Sequence, residues 1–208
     1  FFEDRLHGPE GKSALDYLKR RGLGDGVIRR FRLGFAPDGS RGGRDVLKSA
    51  LAKDGVDENL MIGAGMLIRS DDNSQESGRS EGPTGKPKRP PYDRFRGRVM
   101  FPITDHRDRV IAFGGRTLDD LDAGTEPNAP KYLNSPETAL FHKGRVLYGQ
   151  KMASGPARKA GAIIVTEGYT DVIALNQAGF ENAVAPLGTA LTEDQMRLLW
   201  RIVPEPVL

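Results

Sequence analysis

From Ala162 onward the chain alternates short β-branched runs with helix-patterned ones, and that alternation limits the fold more than any other feature. AIIVT (162–166) reads as a buried strand and Tyr169 to Ala178 as a helix stopped by Gly179. NAVAP (182–186) reads as a second strand, and Thr192 caps a further helix with Gln195 at the capping-box position. This order predicts parallel strands joined by right-handed crossovers. PEPVL (204–208) reads as the entry to a third strand. Two strands and a stub would leave a strand edge unpaired, so an incomplete sheet is expected.

Ligands of open α/β sheets sit at the carboxyl ends of the strands. Two such ends carry notable residues, Thr166-Glu167-Gly168 and Pro186-Leu187-Gly188-Thr189, and parallel strands would set them side by side. Gly168 and Gly188 would let a ligand approach the backbone, and the helix N-termini there favour phosphate. Tight βα turns explain the same glycines equally well. Glu167 is placed to hold a metal, although an acid in a helix's first turn also answers the helix dipole. Asp171, four residues on, shares its face, with a solvated helix carboxylate as the ordinary alternative.

The 208 residues contain no cysteine, which excludes disulfides, a thiol nucleophile and a thiolate zinc site within this chain. Three scattered histidines make a histidine metal site a poor expectation. No stretch approaches the roughly 20 apolar residues of a membrane span, and the start lacks a signal-peptide layout, so a cytoplasmic protein is expected. The net charge of +3 hides an uneven distribution. Residues 1–85 carry 14 basic and 14 acidic side chains, 86–159 carry 15 and 8, and 160–208 carry 2 and 6. Within 86–116 nine Lys or Arg face three Asp, an excess that suits a polyanion or simply a solvated surface.

Toward the N-terminus, Ser13 to Arg21 reads as a helix capped by Ser13, with Asp16 at the box position and Gly22 as its stop. Val27, Ile28 and Phe31 mark a second helix and Val46, Leu47, Ala50 and Leu51 a third. Ser70 to Pro91 is polar and reads as a mobile loop. RVMFPI and RVIAF predict a hairpin in which Pro102 demands an edge or a bulge. Gly114 to Leu140 reads as irregular, and Pro156 as a limit on any helix spanning Leu147 to Arg158. In YDRFRGR, Arg94, Arg96 and Arg98 would project from one face of an extended stretch, suited to a phosphate backbone or to solvent. PKYLNSPET (130–138) would place Lys131 and Asn134 against a phosphate or ribose unless it is an ordinary connection, and FHKGR adds Lys143 and Arg145 on the same terms.

Taken together, YDRFRGRVMFPI, FGGR, PKYLNSPET, LFHKGRVLYG and EGYTDVIAL followed by PLGTALT resemble the catalytic core of bacterial DnaG-type primases, in that order. KRRGL and LGFAP extend the likeness over nearly the whole chain outside 70–91. The resemblance implies a mixed α+β primase-core part with a basic ridge over 1–158, followed by an incomplete toprim domain over 159–208. It implies a DNA-dependent RNA polymerase, a nucleotidyltransferase making short primers on single-stranded DNA from nucleoside triphosphates at the bacterial replication fork. Mg²⁺, or Mn²⁺, would activate the attacking hydroxyl and stabilise the leaving pyrophosphate.

By resemblance, Glu167 is the toprim metal glutamate, and Lys131, Asn134 and Lys143 line the active-site region. Arg21, Arg94 and Arg116 take basic nucleic-acid or nucleotide positions, alongside the candidates Arg96, Arg98, Gly168, Gly188 and Thr189. The toprim Asp-x-Asp pair is absent from this chain, as are the zinc module and the region that contacts the replicative helicase; contact with single-stranded DNA-binding protein would also run through absent regions. The expectation is thus a monomer that binds nucleic acid but does not polymerise in this form. The competing readings are another toprim enzyme, such as a phage-type primase-helicase, a topoisomerase or a nuclease, and a non-catalytic single-stranded DNA-binding module.

Overall fold

The computed structural model of the chain describes residues 1–38, 44–69, 90–118, 130–188 and 190–207. The polar stretch at 70–89, Thr189 and Leu208 lie outside the described residues. The helices are α1 (Phe2–His7), α2 (Lys12–Arg20), α3 (Asp25–Arg30), α4 (Val46–Lys53), α5 (Glu58–Gly63), α6 (Gln150–Ala160), α7 (Tyr169–Gln177) and α8 (Glu193–Trp200). The strands are β1 (Gly34–Ala36), β2 (Leu67–Ile68), β3 (Tyr92–Asp93), β4 (Arg98–Thr104), β5 (Val110–Thr117), β6 (Tyr132–Asn134), β7 (Leu147–Tyr148), β8 (Ile164–Val165) and β9 (Ala183–Pro186).

The first sheet is antiparallel in the order β1-β4-β5-β6. The expected hairpin is its centre: β4 pairs with β5 from Arg98↔Thr117 to Thr104↔Val110, with a register shift at Ile103/Thr104. Pro102 lies beyond the last β1 partner, Met100, where β4 has a neighbour on one side only, so the missing N–H costs no ladder bond to β1. Val99, Phe101 and Ile103 face the main core with Leu18, Ile28 and Phe35. On the other face Met100 packs with Phe95, Leu47 and Phe2. Both faces are covered, which is why RVMFPI reads as a near-continuous apolar run.

Several elements depart from expectation for identifiable reasons. Helix α2 begins at Lys12, with Gly11 and not Ser13 as its cap, because a 3₁₀ turn over Pro9–Gly11 runs straight into it. A Cβ at Gly11 would stand 2.2 Å from the Arg5 carbonyl oxygen, so only glycine lets this turn close on α1. Gly22 does end the helix, at φ +81°, with its N–H bonded to the Lys19 carbonyl and that of Leu23 to Leu18. Strand β5 runs through Gly114 and Gly115 to Thr117 and pairs with β6, so the region read as irregular supplies the sheet's fourth strand. Helix α6 passes through Pro156 to Ala160, held by Ala153 and Ala157 packed against Ile163, Val184 and Leu199.

The second sheet has the order β7-β9-β8. Strands β8 and β9 are parallel, as the alternation requires, while β7 adds an antiparallel edge that the sequence did not advertise. Thr192 and Gln195 form the capping box of α8. Val207 bridges Ile164 in parallel sense on the open side of β8, the entry to a third parallel strand. One core joins the two sheets, since Tyr148, Tyr169, Ile173 and Ala185 pack with Phe31, Val99 and Phe101. Gln177 on α7 ties the second sheet to the end of α2, accepting from Gly24 N (2.8 Å) and donating to Gly22 O (2.6 Å).

Candidate active site and nucleic-acid face

The carboxyl ends of β8 and β9 open into one cavity of about 410 Å³. Glu167, Gly168 and Asp171 line it from the first strand end, Leu187 and Gly188 from the second, and Tyr132 and Asn134 from β6. Both carboxylates are exposed to it. Both glycines lie in bends after their strands, but neither takes the left-handed angle that would make glycine obligatory there. Gly168 is extended (φ −154°, ψ 176°), and a Cβ there would meet only Asp171 Oδ2, at 3.7 Å. A Cβ at Gly188 would meet nothing within 4 Å. Neither glycine is demanded by the chain's own packing, and what their bareness provides is backbone open to the cavity.

Asn134 joins the pieces. Its Nδ2 donates to the Leu187 carbonyl (3.0 Å), its Oδ1 accepts from the Tyr169 hydroxyl (2.6 Å), and its own carbonyl accepts from Arg94 Nε (3.3 Å). One side chain therefore pins the end of β9 and the first residue of α7 to β6. Burial pushes the Tyr169 hydroxyl well above the ordinary phenol range, more than the bond to Asn134 lowers it, so it remains a donor at working pH. Its ring stacks on Phe101 at 5.2 Å and lies against Gly114, where a Cβ would fall 2.6 Å from it.

The arginines of YDRFRGR do not form a row. Residues 94–97 bend, with Gly97 at φ +61°, and the alternation expected of an extended stretch is lost. Arg98 is 4% exposed and donates inward to the carbonyls of Pro130 (2.9 Å), Gly115 (3.4 Å) and Lys131 (3.4 Å). Burial, then the charges of Arg96 and Arg94, brings its pKa down to about 10. Arg96 lies over the Tyr92 ring with Arg44 and donates to the Asp93 carbonyl. Arg94 is tied to the cavity wall through its bond to the Asn134 carbonyl. Arg116 is 1% exposed, between the rings of Tyr17 and Tyr132. Lys131 is exposed beside β6, while its carbonyl accepts from Thr117 N at 3.0 Å. Lys143 stands apart from the cavity lining, on a 3₁₀ turn whose carbonyls accept from Gln195 and Thr192 of the α8 cap.

A family model described as the DNA primase catalytic core, N-terminal domain, matches residues 1–154, and a Toprim domain model matches 161–208. The chain belongs to the DNA primase catalytic-core family. It is 50% identical over 205 residues to a Pseudomonas putida DNA primase, covering 98% of this chain and 27% of that protein. It is 45% identical over 208 residues to the Deinococcus radiodurans DNA primase, covering 100% and 31%. Among solved structures, a DNA primase domain from Pseudomonas aeruginosa superposes with a TM-score of 0.78 at 46% identity, over 99% of this chain and 56% of that one. A DnaG primase catalytic domain bound to single-stranded DNA gives 0.77 at 42%, over 99% and 56%. The chain thus spans under a third of its curated relatives and just over half of the solved cores.

Toprim domains and primases use divalent metal ions. Glu167, with Asp171 across the first turn of α7, offers the hard carboxylate oxygens such an ion prefers, so the donor chemistry of this primase core fits. Among the described residues, however, no group of three or more His, Asp or Glu side chains is assembled to hold one. Tyr132 and Tyr169 line the cavity and Tyr17 stacks between Arg21 and Arg116, and the sequence pattern singled out none of the three. Two were legible in principle, because Tyr17 and Arg21 are spaced i, i+4 on a helix and Tyr132 sits inside PKYLNSPET.

Proposed function

We propose that this chain is the nucleic-acid-gripping and carboxylate-bearing part of a primase that makes RNA primers on single-stranded DNA. The observation that carries this reading is the shared cavity, in which Glu167 and Asp171 face two bare glycine strand ends in a chain of primase ancestry. The reaction is nucleotidyl transfer: a 3′ hydroxyl oxygen bonds to the α-phosphorus of a nucleoside triphosphate, the bond to the β-phosphate bridging oxygen breaks, and pyrophosphate leaves as the hydroxyl proton passes to solvent.

In this scheme Gly168 and Gly188 admit the triphosphate close to the backbone, and the N-terminus of α7 faces its negative charge. Asn134 keeps the two strand ends at fixed spacing. Glu167, with Asp171 beside it, would hold a divalent ion, for which Mg²⁺ is the natural choice and which, when bound, supplies positive charge to the phosphate oxygens. Residues 1–158 grip the strand with Arg21, Arg94 and Lys131, and residues 159–208 supply the carboxylates. Among the described residues no helix is long and apolar enough to cross a membrane, and work on replicating DNA would place the protein in the cytoplasm.

The test is template-directed incorporation of labelled ribonucleotides on single-stranded DNA with Mg²⁺ or Mn²⁺. It compares the 208-residue chain, and any longer native form of it, with the Glu167→Ala variant. Incorporation that disappears on substitution supports the reading. Incorporation that survives it removes Glu167 from the chemistry.

A further inference from the structure

Tyr17 is 5% exposed on the inner face of α2, yet two guanidinium groups lie over its ring. Arg21 Cζ is 5.7 Å and Arg116 Cζ 5.1 Å from the ring centroid. Arg21 Nε also donates to the Tyr17 hydroxyl at 3.2 Å. Arg116 continues the stack, 5.5 Å from the ring of Tyr132, which is 45% exposed and lines the cavity. Arg21, Tyr17, Arg116 and Tyr132 therefore form an alternating ladder of cation and ring, running from the end of α2 to the mouth of the cavity.

The two cations are not equivalent. Arg116 is 1% exposed, so a phosphate cannot reach its guanidinium without rearrangement, whereas Arg21 is exposed. A guanidinium stacks favourably on an aromatic face, and the planar group keeps the orientation that the face imposes. Tyr17 offers Arg21 both a face and a hydroxyl acceptor, which together restrict an otherwise freely rotating side chain. Arg21 is also the residue just beyond α2, where Gly22 turns the chain toward the Gln177 bridge, so its backbone is fixed as well.

We propose that Tyr17 is a positioning residue of the nucleic-acid face: it holds Arg21 where that guanidinium meets a phosphate of a single strand. Arg116 acts from beneath, bracing the rings of Tyr17 and Tyr132 and tying the Arg21 contact to the cavity mouth. This rests on the primase reading given above for single-stranded DNA as the ligand. It separates the basic positions by role, because Arg21 contacts phosphate and Arg116 supports the rings beside it.

The experiment measures binding of a fluorescent oligothymidylate to the 208-residue chain over a sodium chloride series. On a single strand each phosphate contact contributes about 0.7 to the slope of log affinity against log salt. Arg21→Ala is expected to lower the slope by about that amount, and Tyr17→Leu to lower it equally although Arg21 is still present. The double variant should match Arg21→Ala alone. Tyr17→Phe, which removes one oxygen and spares the core, should weaken binding about three- to tenfold at low salt and have no effect in the Arg21→Ala background. It decides the matter if Tyr17→Leu fails to fold. A merely structural Tyr17 would lower the melting temperature and leave the slope alone, and that result overturns the proposal. If the unaltered chain shows no salt-dependent binding at all, the primase reading of this face fails and the proposal fails with it.

Discussion

The Tyr169 hydroxyl donates a 2.6 Å hydrogen bond to Asn134 Oδ1, and through it the first residue of α7 is fixed to β6. Asn134 spends its other amide group on the Leu187 carbonyl at 3.0 Å, so one residue clamps both strand ends that border the cavity. Removing the hydroxyl strands a sheltered acceptor. Tyr169→Phe should therefore destabilise the chain by about 1–3 kcal/mol, read from the midpoint of a denaturant titration. Asn134→Ala loses both bonds and should cost more. An Asn134→Ala variant as stable as the parent would mean that the clamp contributes nothing.

The glycines of FGGR and of the strand ends call for opposite responses to alanine. At Gly114 an added methyl would sit 2.6 Å from the buried Tyr169 ring, which is already held by stacking on Phe101. Overpacking of that kind costs about 1–3 kcal/mol, so Gly114→Ala should lower the melting temperature clearly. Gly168→Ala and Gly188→Ala meet no such obstacle, and their unfolding free energies should stay within about 0.5 kcal/mol of the parent. If the bare backbone there serves a phosphate, the same two variants should weaken nucleoside triphosphate binding. Calorimetric titration would reveal whether stability and affinity separate in this way.

How much of this was legible in the sequence depended on how local each cause is. The capping box of Thr192 and Gln195, the Gly22 stop and the β4–β5 hairpin are decided within a few residues, and each appears where the pattern puts it. Strand β6 was missed because three residues inside a proline-flanked run carry no period, and it exists only because β5 offers an edge to it. Pro156 suggested a helix end, but buried contacts of Ala153 and Ala157 outweighed it. At the site, the pairing of Glu167-Gly168 with Leu187-Gly188 followed from parallel strands. The clamp through Asn134 did not, since it joins residues 35 and 53 positions apart. The row of arginines failed for a local reason: Gly97 takes a left-handed angle that ends the two-residue period just before Arg98.

Helix α4 illustrates a distant cause that can be tested. Its chain neighbour Asp45 makes no side-chain cap, and the orphan N–H groups of Leu47 and Lys48 donate instead to the buried carboxylate of Asp93, at 2.7 and 2.9 Å. Burial raises the pKa of Asp93 above the ordinary carboxylate value, more than those two bonds lower it. Asp93→Ala leaves both donors without their acceptor and should destabilise by about 1–3 kcal/mol, whereas Asp93→Asn retains one acceptor oxygen and should recover part of that loss. Chemical denaturation of the two variants checks the order. Equal stabilities would show that the carboxylate does not cap the helix.

The turn of the central hairpin has a pH dependence of its own. Asp105 accepts from the backbone N–H groups of Arg107 (2.8 Å) and Arg109 (3.0 Å) and from Arg109 Nε (2.8 Å). The bond from the Arg109 backbone N–H is the largest cause holding its pKa down to about 2, from an ordinary 3.8. A carboxylate whose pKa is depressed on folding adds stability that is complete above its unfolded value. That contribution is lost as protons bind while pH falls through the folded value. The window for Asp105 is therefore about pH 4 down to pH 2, and near neutrality its contribution does not change with pH. Asp105 opens a turn whose next four residues are exposed, so solvent screens its charge, the effect on global stability is small, and the sharper readout is the carboxyl chemical shift followed by NMR. Arg109→Ala removes the Nε and guanidinium contacts but keeps the backbone donor, so the midpoint should move only part of the way back toward 3.8. A midpoint of 3.8 in the unaltered chain would show that the turn does not close on Asp105 in solution.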